Sequence, residues 1–319
     1  MTKVIYILPH NHGFSGRRTQ VNTLIDNVFR EDIQVDIVEF RSRSIFANFM
    51  ILISLRHYSL IFVSGSRRFC LLLPLIRIFW NGKGLFYQST SLGYDDPETV
   101  YNSWKFKILY RFYTRHIGQL PFATVCNRNA VSVPNFVRSF GSNKASEQYP
   151  QIGASTFVIV GAICERKGQL RALNELENLE EISYLKVIGP DKGFYEYDAV
   201  YIKKFKDFIR RKPNVEYMGN LTHEQLLNEL ADAGYFLCAS TQEGASNAYL
   251  EAMSLGLIPV VLDDKSDTAL FDRYGFRYLR IGQKNLNAEC LMDLRTRNIS
   301  IIENLNIRCE TFYKEIFYE

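Results

Sequence analysis

The stretch STQEGASNAYLEAMSLGLIPVV, residues 240–261, places two acidic residues around a tract of small residues. Glu243 and Glu251 stand eight positions apart, and an apolar run follows directly at 258–262. A continuous apolar run of this length predicts a strand that is covered on both faces, as in a parallel sheet. The stretch therefore places two acidic residues shortly before a strand that is predicted to be buried.

A short helix is predicted between the small residues and this strand. Ser246 or Asn247 can cap its start, and Gly256 follows its end. Free N–H groups at a helix N-terminus bind phosphate. Acids in such a place would instead accept hydrogen bonds from the hydroxyls of a ribose or a sugar. The alternative is that Glu243 is a solvated loop acid and Glu251 a surface residue of the helix, and the spacing alone does not decide.

Apolar runs of three to six residues alternate with helical patterns along the whole chain. They predict strands at 4–8, 35–40, 60–63, 85–87, 122–126, 157–160, 184–188, 215–218, 235–238 and 258–262. Strand–helix alternation throughout indicates two doubly wound α/β units. The polar stretch 141–153 is the natural linker between them.

Composition and cysteine usage indicate a folded protein of a reducing compartment. Of the 319 residues 47% are hydrophobic, enough for sizeable cores, and 23% are charged, which argues against disorder. The six cysteines show no CxxC spacing and are expected to be reduced thiols. The first apolar run is predicted to be a strand and not a signal peptide, and the run at 71–80 is too short to span a bilayer. We expect a cytoplasmic protein.

Charge is divided unevenly between the two halves of the sequence. Residues 1–150 hold 18 Lys and Arg against 9 Asp and Glu, whereas the remainder holds 20 against 25. The first half is therefore expected to meet an anionic partner. Lys107, Arg111 and Arg115 share one helical face beside an aromatic and aliphatic stripe. They are either solvated cations on a helix packed against the sheet, or a peripheral face for anionic membrane. The absence of a recognisable nucleic-acid motif argues against nucleic acid.

Two motifs resemble those of one enzyme family. The matching residues of the first are Glu243-Gly244, Leu250-Glu251-Ala252-Met253, Gly256 and Pro259-Val260-Val261. The second is VIVGAICERKGQ at 158–169. Together they resemble the retaining, nucleotide-sugar-dependent glycosyltransferases of GT-B fold, of the type called glycosyl transferases group 1. The resemblance is specific over residues 155–262 and loose over the N-terminal half.

The resemblance implies a fold, a reaction and a set of partners. The fold is GT-B: two Rossmann-like, doubly wound parallel-sheet domains that face an interdomain cleft. Residues 1–150 would bind the acceptor, residues 151–298 the nucleotide sugar, and a helix at 299–319 would cross back to the first domain. The reaction is transfer from a UDP- or GDP-sugar to a saccharide hydroxyl with retention, in surface polysaccharide or lipid-linked glycan assembly. No metal is required, because protein cations and helix dipoles hold the leaving diphosphate.

The resemblance also assigns roles to residues. Lys167 would contact the donor pyrophosphate, Glu243 the transferred sugar and Glu251 the ribose. The implied catalytic residues are Glu243, Lys167 and Arg166. The implied donor-binding residues are Gly161, Arg166, Lys167, Gly189, Gly219, Glu243, Gly244, Ala245, Ser246, Asn247 and Glu251. The implied acceptor-binding residues are His12, Gly13, Gly16, Ser91 and Asp95.

The chain departs from the family pattern at two places. Ala162 stands where the family has an arginine, and Arg166 either supplies that charge or is a solvent-exposed loop residue. Ser91 lies in a hydroxyl-rich tract where the family often has a histidine near the acceptor. His10 and His12, without further ligands nearby, are a weak metal signal. No metal site is therefore predicted.

Two other functions are considered. A dinucleotide-dependent oxidoreductase would need GxGxxG after the first strand, and the chain has only GxxG there. A non-catalytic GT-B-like subunit that binds a saccharide or a partner enzyme would explain both departures from the family pattern. The retained Lys167, Glu243 and Glu251 favour the enzyme.

Overall fold

The computed structural model describes residues 2–9, 16–29, 31–40, 45–64, 80, 84–88, 156–176, 184–192, 197–243, 246–281 and 288–318. The chain divides into two units, one of residues 1–136 with 306–319 and one of residues 137–305. The expected linker at 141–153 and the expected boundary after residue 150 lie outside the described residues and stay predictions. Within the described part of the chain, no helix is long and apolar enough to cross a membrane.

The first unit contains a parallel sheet in which all four predicted strands that can be checked are confirmed. Its strands are β1 (Thr2–Pro9), β2 (Ile33–Phe40), β3 (Leu60–Ser64) and β4 (Gly84–Gln88), in the order β2-β1-β3-β4. Among the described residues of this unit are the helices α1 (Gly16–Asn27) and α2 (Ile45–Ser54). The strand predicted at 122–126 lies outside the described residues.

An aromatic cluster fills the core of the first unit. Tyr6 and Phe62 stack with their ring centroids 4.7 Å apart. Tyr313 and Phe317, from the C-terminal residues of the chain, pack on this pair and on Phe29. Rings of this size contribute much of the apolar area that a small sheet buries.

The second unit contains a six-stranded parallel sheet. Its strands are β5 (Thr156–Val160), β6 (Tyr184–Ile188), β7 (Val215–Gly219), β8 (Tyr235–Cys238), β9 (Ile258–Val261) and β10 (Leu279–Arg280), in the order β10-β9-β8-β5-β6-β7. Its helices are α3 (Gln169–Leu176), α4 (Ala199–Ile209), α5 (His223–Ala231), α6 (Asn247–Ser254) and α7 (Ala269–Tyr274). Five of these strands were predicted, whereas β10 is two residues long and too short to leave a pattern.

This strand order is that of the doubly wound dinucleotide-binding fold. The order reverses between β5 and β8, which pair directly with each other. In open sheets of this kind, ligands bind beyond the carboxyl ends of the strands at such a reversal. A ligand is therefore expected to bind at the loops that follow β5 and β8.

The C-terminal helix differs from the prediction. Helix α8 spans Ala288–Tyr318, whereas a helix was expected only from residue 299. The sequence before residue 299 contains no Gly or Pro from Ala288 onward, so nothing interrupts the helix there. Only its residues from Asn306 belong to the first unit.

Candidate functional site

The loops after β5 and β8 are joined by backbone hydrogen bonds. The carbonyl oxygen of Arg166, in the first loop, accepts from the Thr241 N–H at 2.9 Å and from the Ser240 hydroxyl at 3.2 Å. The neighbouring strand pair β5–β8 brings the two loops together, because both strands run in the same direction. The two loops thus form one surface at the carboxyl edge of the sheet.

Gly168 permits this close approach. The residues before it, Glu165–Lys167, form a single 3₁₀ turn, and Gly168 ends the turn in the left-handed conformation with φ of 73°. A β-carbon at this position would overlap the carbonyl oxygen of Ala239, which directly follows β8. Glycine is therefore required twice over, for its backbone angle and for its lack of a side chain.

Gln169 holds the rest of the loop after β5. Its side chain is buried, its Nε2 donates to the carbonyl of Ala162 at 2.9 Å, and its Oε1 accepts from the N–H of Cys164 at 3.3 Å. These bonds satisfy backbone groups that a loop could not pair otherwise. The loop therefore presents Lys167 from a fixed backbone.

A cluster of charges occupies the surface that the two loops share. Lys167 Nζ donates to Glu243 Oε1, and Arg166 Nη1 lies 3.8 Å from the same oxygen. Arg166 Nη1 also donates to the carbonyl of Gln242 at 2.7 Å. The Glu243 side chain is 8% exposed and that of Lys167 15%. Two cations therefore meet one nearly buried carboxylate.

Asp267 fixes the backbone of Glu243 from the loop after β9. Its Oδ2 accepts from the Glu243 N–H at 2.6 Å, and its own N–H donates to the carbonyl of Ser240 at 2.7 Å. Its Oδ1 accepts from the N–H of Ala269, at the start of α7. Sequence analysis gave Asp267 no role, because no local pattern links two residues that are 24 positions apart.

Helix α6 begins and ends close to where the sequence predicted. Ser246 is the N-cap residue, and the helix ends at Ser254, before Gly256. The Ser246 side chain makes no capping hydrogen bond, so it does not occupy the N–H groups of the first turn. Gly244 and Ala245, which precede the helix, lie outside the described residues.

Glu251 lies in helix α6 and is buried, with 9% of its surface exposed. Its Oε1 lies 3.0 Å from Nε2 of His223, the first residue of α5. Helix α5 starts with the predicted capping box, in which Thr222 and Gln225 bond each other's backbone N–H groups. The alternative reading of Glu251 as a surface residue of the helix is therefore wrong, and its contact with His223 was not predicted from the sequence.

The three glycines Gly161, Gly189 and Gly219, which are among the implied donor-binding residues, lie side by side. The N–H of Gly189 donates to the carbonyl of Gly219 at 2.8 Å, and a β-carbon on Gly189 would overlap the carbonyl oxygen of Gly161. The Tyr217 hydroxyl donates to the carbonyl of Gly189 at 3.0 Å, and burial raises the pKa of Tyr217 to about 12. The edge at β5, β6 and β7 is therefore closely packed backbone.

Comparison with known proteins gives a family match within the second unit. Residues 154–272 match the family model described as glycosyl transferases group 1. This segment is similar in sequence to the group 1 glycosyltransferases. Glu243, Glu251 and Lys167 all lie within it. A comparison with curated protein sequences gave no significant match.

Solved structures show that the fold is GT-B. HepE from Anabaena, in complex with UDP and glucose, is 11% identical with a TM-score of 0.69, and the match covers 99% of both chains. A glycosyltransferase from Rickettsia africae is 12% identical with a TM-score of 0.66, covering 100% of this chain and 99% of that one. Sucrose-phosphate synthase from Thermosynechococcus elongatus is 12% identical with a TM-score of 0.64, covering 98% and 94%. The predicted fold class is confirmed.

Only some of the remaining predicted site residues lie in the part of the chain that the structure describes. Gly16 begins α1, and the other predicted acceptor residues, His12, Gly13, Ser91 and Asp95, lie outside the described residues. Among the residues that are described, no group of three or more His, Cys, Asp or Glu side chains is placed to hold a metal ion. Asp263 and Asp264, at the end of β9, pair instead with arginines, Arg171 and Arg280.

Proposed function

We propose that this protein transfers a sugar from a UDP- or GDP-sugar to a saccharide hydroxyl, with retention of the anomeric configuration. The acceptor belongs to surface polysaccharide or lipid-linked glycan assembly. The observation that carries the proposal is the meeting of Lys167 and Arg166 on Glu243 at the strand-order reversal between β5 and β8. This is where a doubly wound sheet binds its ligand.

The two cations suit the electrostatic work of glycosyl transfer. When the bond between sugar and diphosphate breaks, negative charge grows on the leaving diphosphate, and cations fixed beforehand stabilise that charge. Lys167 supplies one positive charge. Arg166, held on the Gln242 carbonyl, supplies a second and replaces the arginine that the family has at the position of Ala162. Two protein cations make a metal ion unnecessary.

The two glutamates contact different parts of the donor. Glu243 accepts hydrogen bonds from the transferred sugar, and Glu251 accepts them from the ribose hydroxyls. The first-turn N–H groups of α6, which the Ser246 side chain leaves uncapped, face the distal phosphate. The complex of HepE with UDP and glucose supports uridine as the base.

A ligand screen followed by an activity assay tests the proposal. Thermal unfolding is measured with UDP, GDP, ADP and CMP, and the stabilising nucleotide selects the donor. A ligand at 100 times its Kd stabilises the folded state by about 2.7 kcal/mol, which a thermal shift resolves. Release of UDP from UDP-glucose, or of GDP from GDP-mannose, is then measured with and without saccharide acceptors. Stabilisation by none of the four nucleotides would contradict the proposal.

The alternative is a GT-B-like subunit that binds a nucleotide sugar, a saccharide or a partner enzyme without catalysis. Ala162 favours it, because a family arginine is missing beside the proposed diphosphate site. The two functions differ in turnover. Nucleotide binding without donor hydrolysis or transfer, with every acceptor tested, would favour the binding subunit.

We further propose that the first unit attaches to anionic membrane from the cytoplasmic side and there meets a lipid-linked acceptor. Helix α2 supports this, since Phe49 and Met50 keep 47% and 50% of their surface exposed and the cation Arg56 is exposed just beyond it. The test is sedimentation with vesicles. We expect binding to anionic vesicles at low salt, release as salt rises, and no binding to neutral vesicles. A protein that stays in solution with anionic vesicles at low salt would contradict attachment.

A further inference from the structure

Glu251 needs a polar partner because it is buried. A carboxylate that is 9% exposed loses most of its hydration, and an unpaired one would be strongly destabilising. In the described part of the chain, its side-chain partner is His223, whose Nε2 lies 3.0 Å from Oε1. An ionised carboxylate only accepts hydrogen bonds, so Nε2 donates.

His223 is well placed to hold this carboxylate in one orientation. It is the first residue of α5, and the capping box around Thr222 fixes the backbone at that point. The contact with His223 involves Oε1 and not the other carboxylate oxygen, Oε2. The histidine therefore occupies one oxygen and leaves the other to a ligand.

We infer that His223 is a positioning residue that gives the site its preference for a ribose with free hydroxyl groups. The inference rests on the proposed function, in which Glu251 accepts from the ribose of the donor. A carboxylate held in advance binds the hydroxyls without losing side-chain freedom at that moment, which raises affinity for the ribose alone. In this role His223 acts through Glu251 and not through a contact of its own with the ribose.

The affinities of two nucleotides for the unaltered protein and for several variants test this role. Calorimetry measures the affinity for UDP and for 2′,3′-dideoxy-UDP, which lacks the hydroxyls that Glu251 accepts from. If only GDP binds the unaltered protein, GDP and 2′,3′-dideoxy-GDP are used in the same way. A hydrogen bond to a charged group predicts a preference of about tenfold or more for the ribonucleotide in the unaltered protein.

Replacement of His223 should reduce this preference and leave the rest of the site unchanged. We expect His223→Ala to lower the preference at least about threefold, with little change in affinity for the dideoxy nucleotide. His223→Gln should restore it, because the glutamine amide can place a donor where Nε2 lies. His223→Asn, whose amide matches the nearer ring nitrogen, should not. Glu224→Ala, an exposed neighbour on α5, is the matched control and should keep the full preference.

The outcomes separate the inference from the proposed function. Equal loss of affinity for both nucleotides in His223→Ala, or an unchanged preference, would overturn the role of His223 while leaving donor binding intact. The same holds if His223→Gln behaves like His223→Ala. If the unaltered protein binds neither UDP nor GDP, the proposed function itself fails, and the inference fails with it.

Discussion

Glu243 and Glu251 are both nearly buried in the second unit, but their surroundings differ. Glu243 lies in a loop between two permanent cations, Lys167 and Arg166, and Asp267 holds its backbone. Glu251 lies in a helix and meets a single histidine. The first acid belongs to a strongly charged surface built from three loops, and the second to a contact between two helices.

This difference indicates two kinds of task. A carboxylate beside two fixed cations must exchange its partners when an anionic ligand arrives, because phosphate competes for the same cations. A carboxylate beside one histidine keeps its partner and offers its free oxygen. In the proposed function, the cation-lined side binds the diphosphate and the reacting sugar, and the histidine side binds the nucleoside.

The largest expected effect comes from a substitution that displaces the loop after β5 and so disrupts the surroundings of Glu243. Gly168→Ala forces a β-carbon against the Ala239 carbonyl and places alanine at a left-handed backbone angle. We expect a loss of about 3 kcal/mol or more in the free energy of unfolding, measured by urea titration. Lys167, which adjoins Gly168, should also lose its place on Glu243.

Gly275→Ala is the matched control for this change. Gly275 has nearly the same backbone angle, with φ of 75°, but no atom within 4 Å of an added β-carbon. Gly275→Ala should lower the free energy of unfolding only by the cost of the left-handed backbone angle, about 1–2 kcal/mol. Equal losses in the two variants would contradict the packing argument for Gly168.

Replacement of Lys167 tests whether its positive charge contributes to nucleotide binding. Lys167→Ala deletes the cation that contacts Glu243 and should weaken UDP or GDP binding by about 1.5–3 kcal/mol, measured by calorimetry. Lys186→Ala is the control, since Lys186 is similarly buried (13% against 15% exposed) and pairs with Glu229 at 2.7 Å. A folded Lys167→Ala protein that binds the diphosphate as tightly as the control would remove Lys167 from the site.

Replacement of Glu243 and replacement of Glu251 should affect different measured quantities. Glu251→Ala should weaken binding of the bare nucleotide by about 1–2 kcal/mol, because ribose hydroxyls lose their acceptor. Glu243→Ala should leave that affinity nearly unchanged and lower turnover, because its proposed partner is the transferred sugar. Calorimetry with UDP and steady-state kinetics with UDP-glucose give the two measurements. Equal losses of nucleotide affinity would show that the division of roles is wrong.

The sequence predicted five of the six strands of the second unit and singled out residues in the loops that adjoin its switch point. Apolar runs locate strands because burial on both faces leaves a continuous pattern, and a motif shared with a family locates Lys167, Glu243 and Glu251. The N-cap at Ser246 was predictable from residue type and from the helix that follows.

The partners of these residues could not be predicted. Asp267 and His223 lie 24 and 28 positions from the glutamates they contact, and such pairing depends on how strands and helices are arranged in space. The burial of Glu251 was likewise hidden, since a charged residue in a short helix is normally exposed. The early start of α8 was missed because apolar spacing before residue 299 is weak.

An exposed ion pair gives the smallest expected effect and tests whether burial causes the difference between the sites. Asp191, after β6, pairs with Lys206 of α4, and the hydrogen bond from this lysine lowers the pKa of Asp191 from its ordinary 3.8. The Lys206 side chain is 44% exposed, so Lys206→Ala should cost no more than about 1 kcal/mol at pH 7. Because the folded-state pKa is lowered, this stabilisation is complete above the ordinary pKa. It is lost progressively as the pH falls from there through the lowered folded-state pKa, where Asp191 of the folded protein becomes protonated. Urea midpoints of the two proteins should therefore differ slightly at pH 7, begin to approach each other near pH 3.8 and converge once the pH is below the lowered pKa of Asp191. A difference that persists unchanged there, or one at pH 7 that clearly exceeds about 1 kcal/mol, would show that this pair does not behave as a solvent-screened one.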